Sequence, residues 1–246
     1  MCFDKGIIKT NMAAHTQIID LYGIPACGKT TLARYMASHP TKGLKVKNIE
    51  DCMFAALNDK WHLVMSVSLK NVWASIRLRL SAPFDKKRSV IPFRAILLMG
   101  AFKNYILKYT DYDIVITDHG DIQSFVTLER GDNLHESKRF LSACLHYLNV
   151  SLSTSYVYCQ IDAEEALQRM NGRGREKGRI DLITDQHIKL QELEAESKCF
   201  DFWTSILKKR KSSIVELDMK GSIPSVADKL FSILLTNIYK KAQTDD

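Results

Sequence analysis

The chain has 246 residues, 46% of them hydrophobic and 26% charged, and carries a net charge of +7. That length suits one α/β domain, or at most two small ones, and the mix excludes a disordered or fibrous chain. The positive balance suits anionic ligands without singling out nucleic acid, because 28 acidic residues are interspersed with the basic ones.

In chain order, residues 1–15 read as a loose leader without the apolar run of a signal peptide. Gln17 to Tyr22 (QIIDLY) reads as the first strand, and Gly23-Ile24-Pro25-Ala26-Cys27-Gly28-Lys29-Thr30-Thr31 follows it. That stretch matches G-x-x-x-x-G-K-[ST]. A helix is expected over residues 32–38, a turn at 39–43 and a second strand over 44–51 (LKVKNIED). Residues 52–80 carry Trp61, Leu63, Val64, Val67, Val72, Trp73, Ile76 and Leu80 at helical spacing, which predicts two helices. A basic loop over 81–89 precedes a helix over 91–109, with Pro92 in its first turn, and Trp73, Phe93 and Phe102 are expected in the core. Residues 52–110 together read as a helical insertion on the acceptor side. The apolar stretch 90–107 holds Arg94 and Lys103, so no membrane span is expected.

Residues 113–118 (DIVITD) read as a third strand, apolar and β-branched as buried parallel strands are. Helices over 121–128 and 136–148 flank a loop at 131–133, and residues 155–161 (SYVYCQI) form the fourth strand. A helix over 163–171 runs into a glycine- and arginine-rich segment, read as a lid over 172–184. A long helix over 185–209, a fifth strand over 213–218 (SIVELD), a last helix over 223–239 and a frayed tail over 240–246 complete the chain. Strands alternating with helices predict an α/β fold: three layers, with a five-stranded parallel sheet between helices. Ligands then sit at the carboxyl ends of the strands, where both the first loop and Asp118 fall.

The spacing of the first loop has a physical reason. Gly23 and Gly28 let the backbone turn and approach phosphate oxygens. The loop's N–H groups and the helix N-terminus point at an anion. Lys29 would reach the β- and γ-phosphates of ATP and the Thr30 hydroxyl would ligate Mg²⁺, so residues Gly23 to Thr31 form the expected nucleotide site. Asp118, at the end of the third strand, would hold the same Mg²⁺ through water or accept the proton of an acceptor hydroxyl. His119, not Glu, follows it, which removes the Asp-Glu pair of many hydrolytic ATPases.

The run Arg169-Met-Asn-Gly-Arg173-Gly-Arg175-Glu-Lys177-Gly-Arg179 is the second signal. Arg169 and Arg173 are four apart and share a helical face. Arg175 and Arg179 lie among glycines, and guanidiniums on a movable segment suit a transferring phosphoryl group. Lys29, Asp118, Arg169, Arg173 and Arg175 are therefore the expected catalytic set. Gln123 would suit an acceptor base or sugar, while Arg88 and Arg94 read as surface charge. None of the six cysteines forms a C-x-x-C pair or stands at zinc spacing, so they read as thiols of a reducing, cytoplasmic compartment. Cys27 reads as a small residue in a tight loop, beside a lysine and a helix N-terminus that would lower its thiol pKa.

On these segments the chain resembles P-loop nucleotide kinases, nearest the thymidylate kinase-like group. GIPACGKTT resembles the kinase phosphate loop, DIVITDHG the strand ending in the kinase Asp-Arg signature, and YVYCQIDAEEALQRMNGRGREKGR the strand and helix leading to the arginine lid. SIVELDMKGSIPSVADKLFSIL resembles the closing strand and helix. The resemblance implies an ATP-dependent phosphotransferase with a mobile lid, with roles for Lys29, Thr30, Asp118, Arg169 and Arg173. Two departures stand out: Ala26 replaces a glycine common in the loop, and His119 stands where the signature has arginine.

The expected activity is thus transfer of the γ-phosphoryl of MgATP to a small acceptor, with a nucleoside or nucleotide favoured. The alternatives are a nucleotide-binding regulatory protein with little turnover and a polynucleotide end kinase. No aromatic-basic interleaving favours the latter. No N-K-x-D guanine motif occurs. A homodimer is compatible with the chain.

Overall fold

The computed structural model describes residues 16–41, 43–81, 86–129, 137–152, 155–172 and 180–244, with backbone alone at residues 55, 86–96 and 237–244. Five strands, β1 (Gln17–Tyr22), β2 (Val46–Asn48), β3 (Ile114–Thr117), β4 (Ser155–Gln160) and β5 (Ile214–Asp218), form one parallel sheet in the order β2-β3-β1-β4-β5. β1 lies at the centre, with Ile19 paired to Ile116 on one side and to Ser155 on the other. Five of its six residues are buried, as its apolar composition requires. The fold is α/β in three layers, with helices on both faces of the sheet.

Helices α1 (Lys29–Ser38) and α10 (Ile223–Thr244) pack against each other. On the other side, α6 (Asp121–Glu129) meets α9 (Gln186–Lys209). α9 starts at an N-cap: the Asp185 carboxylate accepts from the His187 and Ile188 N–H groups at 2.8 and 3.1 Å. Its buried Phe200, Trp203 and Leu207 then cover the sheet. Tyr22 stacks on Tyr158 with ring centroids 5.2 Å apart, and its hydroxyl shares a 2.8 Å hydrogen bond with Thr204 of α9. α7 (Lys138–Val150) and α8 (Ala163–Gly172) complete this half, and a single 3₁₀ turn, Ile180–Leu182, precedes α9.

The middle of the chain departs from expectation in four ways. β2 ends at Asn48, and α2 (Ile49–Asn58) begins at once with Glu50 and Asp51 in its first turn. Acidic residues there favour a helix start, which outweighs the alternation of residues 44–51. Three helices, not two, fill the next stretch: α2, α3 (Lys60–Met65) and α4 (Leu69–Ser81). α5 (Lys86–Tyr109) starts earlier than residue 91, so Pro92 lies beyond its first turn. Trp73 is 64% exposed and not in the core, because α4 buries the face of Asn71, Ala74, Ser75 and Leu78 instead. Phe102 is buried as expected; the side chain of Phe93 lies outside the described residues. α10 continues past Tyr239 to Thr244, where a frayed tail was expected. Among the described residues, no helix is long and apolar enough to cross a membrane.

Candidate active site

β1 delivers the chain directly into the phosphate-type loop at the carboxyl edge of the sheet. Gly23 has φ +148°, and a Cβ there would stand 2.5 Å from the carbonyl oxygen of Cys159 at the end of β4. Only glycine lets the loop lie that close to the neighbouring strand. Ala26 also has positive φ, +63°. The glycine-favouring conformation is therefore kept where alanine replaces glycine, at a cost of about 1–2 kcal/mol.

α1 opens at Gly28 with no side-chain cap and no acidic residue in its first turn. The first N–H groups of the helix thus keep their attraction for an anion. Lys29, only 9% exposed, folds over the loop and donates to the carbonyls of Gly23 and Ile24 at 2.6 and 3.1 Å. Its ammonium also lies 3.5 Å from the Cys27 sulfur. Burial pushes the Cys27 thiol up, but a hydrogen bond with Cys159 and the charge of Lys29 outweigh it and bring it down to about 6. The same hydrogen bond, with burial, holds the Cys159 thiol well above its usual range. Pro25 and Ala26 are half-buried, and the Thr31 side chain is exposed on α1.

Thr30, in the first turn of α1, and Asp118, just past the end of β3, come together. The Thr30 hydroxyl donates a short hydrogen bond to Oδ2 of Asp118. Asp118 is 1% exposed, and its other oxygen, Oδ1, is buried without a partner. An orphaned buried carboxylate oxygen beside a hydroxyl fits a hard, oxygen-liganded cation that takes its remaining ligands from phosphate and water. Among the described residues, no group of three His, Cys, Asp or Glu side chains could hold a metal by itself.

Arg169 reaches the loop from α8. Its guanidinium donates to the Cys27 carbonyl at 3.5 Å, to the Met219 carbonyl at 2.9 Å and to Glu165 at 2.5 Å. It therefore ties α8 to both the loop and the segment after β5. Arg173, Arg175 and Arg179, and with them most of the expected lid, lie outside the described residues, as do the side chains of Arg88 and Arg94. His119 is exposed, and its N–H donates to the Thr117 hydroxyl at 3.4 Å. Gln123 is half-buried on α6, with Oε1 buried and unpartnered.

The carboxyl ends of β4 and β5 open onto a cavity of about 370 Å³ lined by Tyr158, Asp162, Asp201, Asp218 and Lys220, among others. Three carboxylates make that cavity a poor place for a phosphate chain.

Sequence reasoning missed a buried charge cluster beneath this edge. Asp20 of β1, fully buried, accepts the Asp121 N–H at 2.7 Å. Lys103 of α5 donates to Asp121 at 2.8 Å, with both side chains 1% exposed. Tyr156 adds a 3.4 Å hydrogen bond to Asp121, and Ser151 a shorter one. Burial first, and the Asp121 charge second, push the Asp20 carboxyl up to about 8 against the pull of Lys103. The signals were an aspartate inside an apolar strand and a lysine inside an apolar helix. Asn48 was missed too: buried at the end of β2, it accepts the Glu50 N–H at 3.1 Å.

No protein-family profile matches the chain, and no curated protein matches it. Among solved structures it is similar to deoxyadenosine kinase from M. mycoides with the products dCMP and a flexible dCDP bound, at 15% identity and a TM-score of 0.49, over 89% of this chain and 99% of that one. The same enzyme with bound dATP gives 14% identity and a TM-score of 0.48, over 89% and 98%. This is a likeness of chain path.

Proposed function

We propose that the chain is an ATP-dependent phosphotransferase that moves the γ-phosphoryl of MgATP to a small acceptor, a nucleoside or nucleotide by preference. The observation that carries this reading is the meeting of Lys29, Thr30, Asp118 and Arg169 around one glycine-bounded loop at the sheet's carboxyl edge. The loop and the uncapped start of α1 would bind the phosphate chain, and the Lys29 ammonium, now on the Gly23 and Ile24 carbonyls, would turn to its terminal oxygens. Thr30 and the free oxygen of Asp118 would hold Mg²⁺, which would supply charge neutralisation for the phosphate chain. Arg169 keeps the loop against α8, with its guanidinium on the Cys27 and Met219 carbonyls. Arg173 and Arg175 would add cationic charge from the lid during transfer.

Nothing in this set activates a water molecule in the manner of an Asp-Glu pair, since exposed His119 follows Asp118. Transfer to an acceptor hydroxyl or phosphate is thereby favoured over hydrolysis. The thymidylate kinase-like resemblance is carried by motifs and not by an acceptor site, so thymidylate is one acceptor among those to be tried. The test is ADP release from MgATP with a panel of nucleosides, nucleoside monophosphates, sugars and 5′-hydroxyl oligonucleotides, beside Lys29→Ala. One acceptor that raises the rate far above the Lys29→Ala background supports the proposal. ATP binding with no stimulation by any acceptor points to the regulatory alternative.

A further inference from the structure

The turn after β3 carries Asp118, whose side chain also accepts from the Thr30 hydroxyl, and Ser124 of α6 donates to the Gly120 carbonyl. Upstream, Asp118 continues the β3 ladder, whose last residue, Thr117, is in register with Asp20 of β1. Downstream, the turn enters α6 at Asp121, and the Asp121 N–H donates to Oδ2 of Asp20 at 2.7 Å. Between them, Gly120 lies directly on the Asp20 carboxyl group: a Cβ at Gly120 would fall 1.9 Å from Oδ1. Asp20 is 0% exposed, and Oδ1 has no hydrogen-bond partner. A carboxyl group is a poor filler for the middle of a sheet. An aliphatic side chain, such as Ile19 and Leu21 on either side of it in β1, would cost nothing in desolvation. What the carboxyl group does there, and an aliphatic side chain would not, is accept the first free N–H of α6 and so fasten the far end of the Asp118 turn.

The fastening extends to the acceptor side. Asp121, whose N–H Asp20 holds, takes the Lys103 ammonium of α5 on its own side chain, and Ser151 and Tyr156 on the other carboxylate oxygen. The turn is thus tied to β1 through Asp20 and to α5 through Lys103, with each of these three ionisable side chains at 2% exposure or less. Buried charge pairs of this kind add little net stability, but they fix one geometry, since any displacement leaves a buried charge or N–H group unsatisfied.

We propose that Asp20 is a positioning residue for Asp118: its carboxyl group, wedged beneath Gly120, holds the turn that aims the unpartnered Asp118 oxygen at the cation accompanying a bound phosphate chain. This rests on the reading of Thr30 and Asp118 as the Mg²⁺ side of a nucleotide site. It extends that reading to a residue that touches neither nucleotide nor metal.

The test compares wild type, Asp20→Asn, Asp20→Val and Asp118→Asn, with two readouts. The first is hydrogen exchange of the Asp121 amide. The second is ATP affinity by calorimetry in EDTA and in Mg²⁺, which isolates the metal-dependent gain from the metal-free binding supplied by the loop. Asp20→Asn keeps an acceptor oxygen and should keep both a slow Asp121 amide and the Mg²⁺ gain. Asp20→Val should release the amide and lose roughly ten- to a hundredfold of the Mg²⁺ gain, as loss of a group supporting a metal ligand does, with metal-free affinity within about twofold of wild type. Asp118→Asn should lose the same gain while its Asp121 amide stays slow. If Asp20→Val fails to fold, Asp20→Ala removes the same acceptor without adding bulk beneath Gly120 and is read in the same way. A folded Asp20→Val or Asp20→Ala protein that keeps the wild-type Mg²⁺ gain overturns the proposal. Wild type that binds no ATP refutes the nucleotide-site reading itself, and this inference with it.

Discussion

Gly120→Ala should be among the most destabilising single-methyl additions in this protein. The added Cβ would sit 1.9 Å from Oδ1, 2.1 Å from Cγ and 2.1 Å from Oδ2 of Asp20. Non-bonded heavy atoms settle at about 3.5–4.0 Å, so something must move by more than an ångström. Asp20 cannot yield cheaply, since it is short, fully buried and bonded to the Asp121 N–H at 2.7 Å. Overpacking typically costs about 1–3 kcal/mol, and orphaning a buried N–H a further 1–3, so a total of roughly 2–6 kcal/mol is expected. The loss of unfolded-chain freedom returns only about 0.4–1 kcal/mol of this. Urea unfolding of wild type, Gly120→Ala, Asp20→Ala and the double variant measures it. Gly172→Ala, where an added Cβ meets nothing within 4 Å, serves as the control. In the Asp20→Ala background the clash partner is gone, so Gly120→Ala should cost at least about 1 kcal/mol less than in wild type, a coupling expected of residues in contact. A cost of under about 0.5 kcal/mol, the size of an ordinary surface change, or strict additivity of the two substitutions, would refute the packing described.

Three further outcomes follow from the same cluster and loop. Asp20 holds a proton up to about pH 8 in the folded chain, against an ordinary value of 3.8. The native state therefore binds a proton that the unfolded state has lost across that window, and stability should fall as pH rises through it, by at most about 1.4 kcal/mol per pH unit. The difference between wild type and Asp20→Asn in urea unfolding from pH 4.5 to 7.5 should show that slope, and equal slopes would contradict it. Cys27 is fully buried, so its thiol, brought down to about 6, is read by the ultraviolet absorbance of its thiolate in a difference between wild type and Cys27→Ser, which should rise through that pH, while Cys52, pushed up to about 11 by burial, stays protonated there. A midpoint near 9 would count against the lysine–thiol pairing. Arg169→Ala should lower kcat/KM for ATP by roughly ten- to a hundredfold, and Arg169→Lys should not restore it, because lysine lacks the fork that spans the Cys27 and Met219 carbonyls. Unchanged steady-state kinetics would make Arg169 a purely structural tie.

What could be read from the sequence was local. The loop from Gly23 to Thr31 and the strand ending at Asp118 are contiguous motifs whose residue types are dictated by their own backbone, so their place on one sheet edge could be anticipated. The start of the long helix at residue 185 and the apolar, β-branched core of β3 are of the same kind. Contacts across long stretches of chain could not be read. Asp20 and Asp121 are 101 residues apart, and nothing local to either marks the other as its partner. Trp73 misled because hydrophobic spacing identifies a helix but not which stripe turns inward, and in α4 the inward stripe is small and polar, through Asn71 and Ser75. β2 was overextended because an alternating stretch and an acidic helix start overlap at residues 49–51, and the helix won.

The most direct measurement is transfer of label from [γ-³²P]ATP, in Mg²⁺, to a panel of nucleosides and nucleoside monophosphates, with Lys29→Ala run alongside. Label appearing on one acceptor with wild type, and on none with Lys29→Ala, is the expected result. Label that stays on ATP with every acceptor, or that moves equally well with Lys29→Ala, would contradict the assignment of this loop to phosphoryl transfer.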